Sequence, residues 1–444
     1  MENPAHFCME INNMKPKILI LQGPVGPFFD ELSMAFEKNG CIVRRVIFNG
    51  GDWFYSSGHN RIFYRKGPNE WQTFIDKLTS GFKPDFAIMF GDERPIHKVA
   101  IAIFKQRGID YWCFEEGYIR PNYVTFERVG NNANSMLCEN WADELKNIIS
   151  FPKLSSNSNS KKIELYLNGI SKYFFRNGFI YFAFEKLLKI LFPNYIHHRE
   201  YKILDFFRDY ISWLGYSKFF REQAFLIQEQ IIKSSLNNYF VVLLQVPEDL
   251  QLLSHGMGWN NASIIENIMI SFSCYADHKA KLLFKIHPLN FKINQDYVLI
   301  KELAFRYDLE DRVHIVCSNR NNIIFKNCAA GLTINSTAGL EVLRHSKNIF
   351  TFGVAIYDMF AWPKSMDIIS DLNNFWSAAR ERKVFDWNII ENYILNSLIA
   401  GDFYNKSSFE ELIEKIILKL EIDDENIQEK IKKAHEPMIS DQSN

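Results

Sequence analysis

The sequence predicts an α/β protein made of two Rossmann-like domains that face a central cleft, a GT-B-like arrangement, with a helical, aromatic-rich insertion between them. Short apolar, β-rich runs alternate with segments of helical period in the first third of the chain. The same alternation returns after about residue 238. Alternation of this kind is typical of βαβ units and a parallel sheet. A length of 444 residues also suits two domains better than one.

Strand-like and helical segments define the two predicted domains. In 16–150 the helical segments end at glycines, a common helix terminus, and the strand-like runs are KILILQ (17–22), IVRRVIF (42–48), DFAIMF (85–90) and DYWCF (110–114). In 237–400 the corresponding runs are YFVVLLQV, AKLLFKIH, DRVHIV, GLTIN and NIFTFG. The remaining segment, 401–444, contains FEELIEKIILKLEI, an amphipathic helix predicted to pack across the domains.

The predicted insertion, 151–236, differs in composition from the rest of the chain. It begins with a polar Ser/Asn linker and continues with an aromatic stretch that holds 11 Lys/Arg and 6 Asp/Glu between Lys161 and Glu222. A basic, aromatic, helical segment is able to dock on an anionic membrane surface. Alternatively, it is an inserted helical hairpin whose aromatic side chains pack on the domain cleft. These two interpretations are compatible.

Charge and cysteine usage exclude several classes of protein. The chain has 51 basic and 52 acidic side chains, a balance that argues against binding nucleic acid by bulk electrostatics. The seven cysteines show no CxxC pattern and are expected to be reduced thiols. The N-terminus lacks a signal-peptide layout, and no apolar run approaches the ~20 residues that span a bilayer. We therefore expect a cytoplasmic protein that is still able to lie against a membrane.

In the first half, candidate functional residues follow the predicted strands, where ligands bind in open parallel sheets. Gly23 lies in a GPVGP turn and Asp92 in FGDERPIH, and each signal is weak alone. The stronger candidate is FEEGYIRP, which contains Glu115 and Glu116. We expect Glu115 to transfer a proton and Glu116 to anchor the loop by pairing with Arg120, while a glycine at 117 permits the tight turn.

In the second half, a buried strand runs through Gln245 into Asp249. Capping the next helix is the commoner role of an isolated aspartate at such a position. His287 ends another strand and is fixed by Pro288. A strand-to-helix turn then contains Asn335, Ser336 and Thr337, and the backbone amides at 336–338 are able to point at an anion. One carboxylate, Glu341, follows this turn. One carboxylate from each half fits glycosyl transfer by a nucleophile and an acid/base.

Several segments, in this order, resemble the capsule-polysaccharide Kdo transferases of the KpsS/LipA type. The resemblance runs through LQGPVGPFF, FNGGDWFY, FGDERPIH, FEEGYIRPNYVTFE, LQVPEDLQL, the histidine-proline pair, and NSTAGLEVL with GVAIYD. It covers both predicted Rossmann-like halves. After GVAIYD the family usually continues with a Gly-Leu-Thr segment, whereas this chain reads MFAWPKSMDI, a difference that bears on the acceptor side.

The resemblance implies a retaining enzyme of a Gram-negative capsule system that is peripheral on the cytoplasmic face of the inner membrane. Such enzymes move β-linked Kdo from CMP-Kdo to a phosphatidylglycerol-type lipid. The match makes Asp249 the nucleophile, Glu115 the acid/base and Glu116 its structural neighbour. It assigns CMP to His287 with Pro288 and to the turn at 335–337. No metal or cofactor is expected, since CMP-sugars have one phosphate and no DxD-type motif appears.

The implied partners are a CMP-sugar donor, a phospholipid acceptor and other capsule assembly proteins, with no nucleic acid. Two alternatives stay open. One is another CMP- or CDP-activated transfer, of a sialic-acid-like sugar or glycerol phosphate. The other is a non-catalytic capsule assembly or export factor that binds polysaccharide or lipid through the cleft.

Overall fold

A computed structural model describes residues 15–120, 122–138, 174–197, 238–287, 290, 293–317 and 321–420. Within them the chain forms two separate β-sheets. Most of the predicted insertion and the chain beyond 420 lie outside these residues.

The first sheet contains the strands Lys17–Ile20 (β1), Ile42–Ile47 (β2), Arg61–Phe63 (β3), Phe86–Phe90 (β4), Asp110–Glu116 (β5), Tyr123–Arg128 (β6) and Leu398–Ala400 (β12). Their order across the sheet is β12-β6-β5-β4-β1-β2-β3. The strands from β5 to β3 are parallel, as the alternating pattern predicts. β6 pairs with β5 in the antiparallel sense, and β12 pairs with β6 in the same way.

The second sheet is parallel throughout, in the order β11-β10-β7-β8-β9. Its strands are Tyr239–Leu243 (β7), Lys281–Lys285 (β8), Val313–Val316 (β9), Ala330–Thr333 (β10) and Asn348–Thr351 (β11). They consist almost entirely of buried residues, because a parallel sheet is covered by helices on both faces.

Helices cover both sheets. In the first domain they are Phe28–Lys38 (α1), Gly50–Phe54 (α2), Trp71–Phe82 (α3) and Pro95–Arg107 (α4), and Phe179–Leu187 (α5) belongs to the insertion. In the second domain they are Leu250–His255 (α6), Asn261–Tyr275 (α7), Ile293–Arg306 (α8), Asn321–Asn327 (α9), Gly339–Arg344 (α10), Ile368–Ala378 (α11) and Trp387–Leu395 (α12). The predicted fold class, two Rossmann-like domains with a GT-B-like arrangement, is confirmed.

The end of the described chain returns to the first domain. β12 joins the first sheet, although it falls inside the predicted 237–400 segment. A helix over 409–420 (α13) then packs its apolar face on that sheet, in one cluster with Phe28, Phe114 and Phe403. Phe28 contacts the rings of Phe114, Phe403 and Phe409 at centroid distances of 5.2 to 6.0 Å. Aromatic packing of this kind uses many of the 39 phenylalanines.

Apolar contacts join the two domains. Tyr118 and Ile119, from the turn after β5, lie in the same hydrophobic cluster as Leu340 and Tyr357 of the second domain. The hydroxyl of Tyr393 donates to the carbonyl oxygen of Leu137. The turn that follows the two adjacent glutamates is therefore buried against the opposite domain.

Candidate active site

FEEGYIRPNYVTFE forms a β-hairpin at the end of the parallel part of the first sheet. Glu115 pairs in register with Thr125, and Glu116 with Val124. Successive side chains of a strand point to opposite faces, so the two carboxylates are directed apart. A β-carbon at Gly117 would collide with the carbonyl oxygen of Tyr123, so this position requires glycine for close approach across the turn.

Glu116 is held by two groups. Its Oε2 accepts from Arg120 Nη1 at 2.6 Å, and its Oε1 accepts from the hydroxyl of Tyr404 at 2.7 Å. The Nε of Arg120 also donates to the carbonyl oxygen of Gly117 at 3.1 Å. The pairing of Glu116 with Arg120 expected from the sequence is therefore present. This pair closes the hairpin turn, and the bond from Tyr404 attaches the turn to the C-terminal segment that returns to the first domain.

Glu115 lies half-buried in a different environment. Burial raises the pKa of its carboxyl group to about 7, assisted by the negative charges of Glu116 and Asp249 and opposed by the Glu116 backbone N–H and the Arg94 guanidinium. A carboxyl group with a pKa near 7 is suited to both donating and accepting a proton. Asp249, from the second domain, is therefore close enough to Glu115 for its charge to add to this shift.

Asp249 follows β7 and forms the N-cap of α6. Its Oδ1 accepts from the backbone N–H of Gln251 at 2.9 Å. The capping role that the sequence left open is therefore real. Capping uses one carboxylate oxygen and fixes the side-chain orientation, so it is compatible with a second role.

Gln245 and Asn335 are brought together because β7 and β10 are neighbours in the second sheet. The Nε2 of Gln245 donates to Asn335 Oδ1 at 2.9 Å, and the backbone N–H of Asn335 donates to Gln245 Oε1 at 3.0 Å. The Nδ2 of Asn335 donates to the carbonyl oxygen of Gln251 at 3.0 Å. These bonds join the turn after β10 to the helix that Asp249 caps.

The turn at 335–337 is braced internally. The N–H of Ser336 approaches Thr333 Oγ1 at 3.4 Å, and its carbonyl oxygen accepts from the Tyr357 hydroxyl at 2.5 Å. The N–H of Ala338 is bonded to Ser336 Oγ at 3.3 Å. Two of the three amides expected to face an anion, those of 336 and 338, are thus engaged within the turn, while Thr337 accepts at its carbonyl oxygen from Leu340.

Glu341 lies in the first turn of α10, half-buried. Its Oε1 is 3.8 Å from Nη1 of Arg344, a residue three positions along the same helix. Burial raises the pKa of Glu341, and Arg344 opposes that shift. The structure therefore places this carboxylate beside an intrahelical partner.

A cationic edge follows β8. Burial lowers the pKa of His287 to about 3, with further lowering by Lys285 and Arg120, so its imidazole is neutral. Burial also lowers the pKa of Lys285 to about 8. Lys285 was not predicted as a site residue, because the sequence around a lysine in a strand does not indicate whether its side chain is buried. Pro288 lies outside the described residues.

Asp92 and Gly23 have contacts within the first domain. Asp92 is buried, and its Oδ2 accepts from the backbone N–H of Asn131 at 3.1 Å and from Asn134 Nδ2 at 2.9 Å. These bonds make Asp92 a brace of the loop after β6. The carbonyl oxygen of Gly23 accepts from Arg94 Nη1 at 3.1 Å.

A hydrogen-bond network that was not predicted from the sequence holds the insertion against the first domain. The hydroxyl of Tyr181 donates to Asp52 Oδ1 at 2.8 Å, and Gln22 Nε2 donates to Asp52 Oδ2 at 3.2 Å. A β-carbon on Gly51 would stand 2.6 Å from the Tyr181 ring. The glycines and aspartate of FNGGDWFY thus form the surface on which α5 packs. Aromatic packing of the insertion is therefore present in 174–197, on the first domain, and the rest of the predicted hairpin lies outside the described residues.

Among the described residues, no cluster of three or more histidine, cysteine or acidic side chains is arranged to hold a metal ion. Within the same residues, no helix is long and apolar enough to cross a bilayer.

Comparison with known proteins places the chain in a family. The family model described as capsule polysaccharide biosynthesis protein matches residues 85–404, which contain Glu115, Asp249 and the turn after β10. This chain belongs to that family. The resemblance found in its motifs is thereby confirmed at the family level.

Members of the capsule polysaccharide biosynthesis family match over most of their length. The chain is 30% identical to the capsule polysaccharide export protein KpsS of Escherichia coli over 367 residues, 82% of this chain and 90% of KpsS. It is 29% identical to the capsule polysaccharide modification protein LipB of Neisseria meningitidis serogroup A over 400 residues, 88% of this chain and 92% of LipB.

Solved structures with a similar course of the chain include two sugar-nucleotide complexes. One is UDP-GlcNAc 2-epimerase from Neisseria meningitidis bound to UDP-GlcNAc, with a TM-score of 0.32 and 12% identity over 91% of this chain and all of that one. The other is Anabaena Alr3699/HepE in complex with UDP and glucose, with a TM-score of 0.32 and 9% identity over 91% of this chain and 99% of that one.

Proposed function

We propose that this protein is a retaining glycosyltransferase that moves β-Kdo from CMP-Kdo to a phosphatidylglycerol-type lipid, starting the linker of a capsular polysaccharide. The observation that supports it best is the shared site of Glu115 and Asp249. The two carboxylates come from different domains; burial is the main cause of the raised pKa of Glu115, and the charge of Asp249 adds to it. Family membership and the two Rossmann-like sheets are consistent with this reaction.

In the proposed reaction, an Asp249 carboxylate oxygen attacks the anomeric carbon of Kdo, and CMP leaves with the bonding electron pair. A hydroxyl oxygen of the lipid then attacks the same carbon from the opposite face and displaces Asp249. Glu115 takes the proton of that hydroxyl group. Two displacements retain the anomeric configuration, by the logic established for retaining glycosidases.

The donor would lie on the second domain. The neutral imidazole of His287 and the cations of Lys285 and Arg120 make this edge favourable for the phosphate of CMP. The rigid Gln245–Asn335 pair would fix the nucleotide beside Asp249. Since CMP-Kdo carries one phosphate, we propose that the reaction needs no metal ion or other cofactor.

The described part of the insertion supports a position on the cytoplasmic face of the inner membrane. Phe179, Leu187 and Ile190 are 72%, 71% and 89% exposed. Lys186 and Lys189 lie between them in the chain. Apolar and cationic side chains on one short segment favour binding to anionic lipid. Replacing Leu187 and Ile190 by aspartate should reduce co-sedimentation with phosphatidylglycerol vesicles, whereas unchanged co-sedimentation would count against this surface.

Two substitutions of Asp249 separate a role in helix capping from a role in catalysis. Asparagine is as good an N-cap as aspartate, whereas alanine loses the cap at a cost of about 1 kcal/mol. We therefore expect Asp249→Asn to keep the melting temperature and lose transfer from CMP-Kdo, and Asp249→Ala to lose transfer and some stability. Full transfer by Asp249→Asn would leave Asp249 with a capping role only and contradict the proposal.

The two alternatives are separated by related assays. A panel of CMP- and CDP-activated donors, including a CMP-sialic acid and CDP-glycerol, distinguishes Kdo transfer from another transfer in the same cleft. The relative KpsS is named a capsule polysaccharide export protein, which makes a non-catalytic role worth testing. Release of CMP that depends on the lipid acceptor would exclude that role, and binding without any release would support it.

A further inference from the structure

Glu93 and His255 meet across the cleft between the two domains. Glu93 Oε1 lies 2.9 Å from His255 Nε2 and accepts from Asn134 Nδ2 at 2.8 Å. Its Oε2 pairs with Lys98, whose Nζ also donates to Ser254 Oγ at 3.1 Å. Glu93 is only 6% exposed and the side chain of His255 is 17% exposed, so this contact between the domains is largely shielded from water.

His255 is the last residue of the helix that Asp249 caps. α6 is a short rigid segment that rises about 1.5 Å per residue, so movement at one end is transmitted to the other. The carbonyl oxygen of His255 also accepts from the backbone N–H of Val354 at 2.9 Å, which fixes this end to the second domain. A contact at His255 therefore acts on the position of Asp249.

Glu93 is linked just as closely to Glu115. Gly91, two residues before Glu93, donates its backbone N–H to the carbonyl oxygen of Phe114 at 2.7 Å. A β-carbon at Gly91 would stand 3.4 Å from Glu115 Oε2, so the loop that carries Glu93 lies against the Glu115 carboxyl group. The two ends of the Glu93–His255 contact are thus each connected to one of the two proposed catalytic carboxylates.

We propose that Glu93 and His255 form a positioning pair that sets the spacing between Glu115 and Asp249 across the cleft. The proposal rests on the proposed function for its catalytic consequence. Domain association does not depend on the pair, because Tyr118 and Ile119 are already buried in the second domain's cluster. Loss of the pair therefore changes the register of the two carboxylates while the fold is kept.

Two substitutions of one residue test the pair. His255→Ala removes the contact, whereas His255→Gln keeps an N–H near the position of Nε2. We expect His255→Ala to lower kcat by about 10- to 100-fold, since displacement of about 1 Å is sufficient for such losses. The KM for CMP-Kdo should change little, because the donor lies on the second domain, and His255→Gln should restore most of kcat.

A matched control is Glu302→Gln, which breaks an exposed ion pair with Arg306 on the same domain and should leave kcat unchanged. Wild-type kcat in a folded His255→Ala variant would overturn the proposal. Equal losses in His255→Ala and His255→Gln would also overturn it, since they would show that an N–H group at this position does not restore the contact's effect.

A second measurement does not require activity. Spin labels at exposed positions 105 and 301, one in each domain, report the interdomain distance in a variant that lacks Cys8, Cys138 and Cys274, so that the other native cysteines are all buried. His255→Ala should broaden or lengthen the distance distribution, and His255→Gln should restore it. An unchanged distribution would overturn the positioning role. If the wild-type protein transfers no sugar from any donor, the proposed function fails, while a changed distribution still supports the pair.

Discussion

Arg120 Nη1 donates to Glu116 Oε2 at 2.6 Å, on the opposite side of the strand from Glu115. This contact separates the roles of two carboxylates that are adjacent in the chain. Glu116 is a structural anchor bonded to Arg120 and Tyr404. Glu115 is left in a half-buried position where Asp249 influences its pKa.

The separation predicts different phenotypes for two conservative variants. Glu115→Gln should lower transfer by about 100-fold or more, the usual contribution of a general acid or base. It should not lower the free energy of unfolding at neutral pH, because burial raises the pKa of Glu115 and so favours the uncharged side chain in the folded protein. Glu116→Gln should lower the free energy of unfolding by about 1 kcal/mol and leave transfer within a few-fold of the wild type. Transfer assays and urea unfolding check both. The reverse pattern would show that the roles are exchanged.

The pH dependence of transfer should report Glu115. Its pKa is raised to about 7, first by burial. As the base that takes the acceptor proton, it must be ionised in the free enzyme, so kcat/KM should rise with pH to a midpoint near 7 and then level off. The Glu115→Gln variant should lack this midpoint. A flat profile between pH 5 and 8 in the wild type would be inconsistent with this assignment.

Glu185 should make stability fall as pH rises. It is 7% exposed on α5, and burial raises its pKa from 4.5 to about 7. Between these values the folded protein retains a proton that the unfolded chain releases, so ionisation favours unfolding. At pH 8, Glu185→Gln should therefore be more stable than the wild type by about 1–3 kcal/mol, with little difference near pH 4.

Urea unfolding at the two pH values measures this difference. Glu411→Gln is a matched control, because that carboxylate is 72% exposed in its pair with Lys415 and should show no such trend. If Glu185→Gln and the wild type lose stability in parallel between pH 4 and 8, another group is responsible.

The packing of the insertion against the first domain depends on Gly50. A β-carbon there would collide with the carbonyl oxygen of Phe184 and stand 2.7 Å from Leu188 Cβ, both in the insertion. Gly50→Ala should lower the free energy of unfolding by about 1–3 kcal/mol, as overpacking does. Gly58→Ala adds the same methyl group where no atom lies within 4 Å and should have little effect. Thermal unfolding compares the two, and equal stability would mean that α5 is not seated as described.

The alternating pattern predicted β1, β2, β4 and β5 and all five strands of the second sheet, because long apolar runs are buried on both faces. It missed Arg61–Phe63 and Leu398–Ala400, which have three residues each, too few for any period. It also missed β6, since a turn with Gly, Arg and Pro suggested a loop and not the second strand of a hairpin. Edge strands are half exposed and therefore carry weaker patterns.

Part of the candidate site could be predicted, because some of its residues directly follow recognisable strands. Asp249, Gln245 and Asn335 lie at strand ends, a position that chain order alone reveals. By contrast, the contact between Glu93 and His255 joins residues far apart in the chain, and neither has a local signal. FNGGDWFY was found only through the family resemblance, because its physical reason, the close approach of α5, lies more than a hundred residues away.

In the proposed reaction, Asp249 forms a covalent bond to the sugar and Glu115 completes the transfer. The direct measurement is peptide mass spectrometry of Glu115→Gln after incubation with CMP-Kdo and acceptor, with Asp249→Asn as the control. We predict one Kdo adduct, on the peptide that contains Asp249. The sugar transfers to Asp249, but the variant lacks the base that takes the proton of the acceptor hydroxyl group, so the second displacement is slow. Release of CMP by this variant with an unmodified Asp249 peptide, or an adduct on another residue, would contradict the role of Asp249 as the nucleophile.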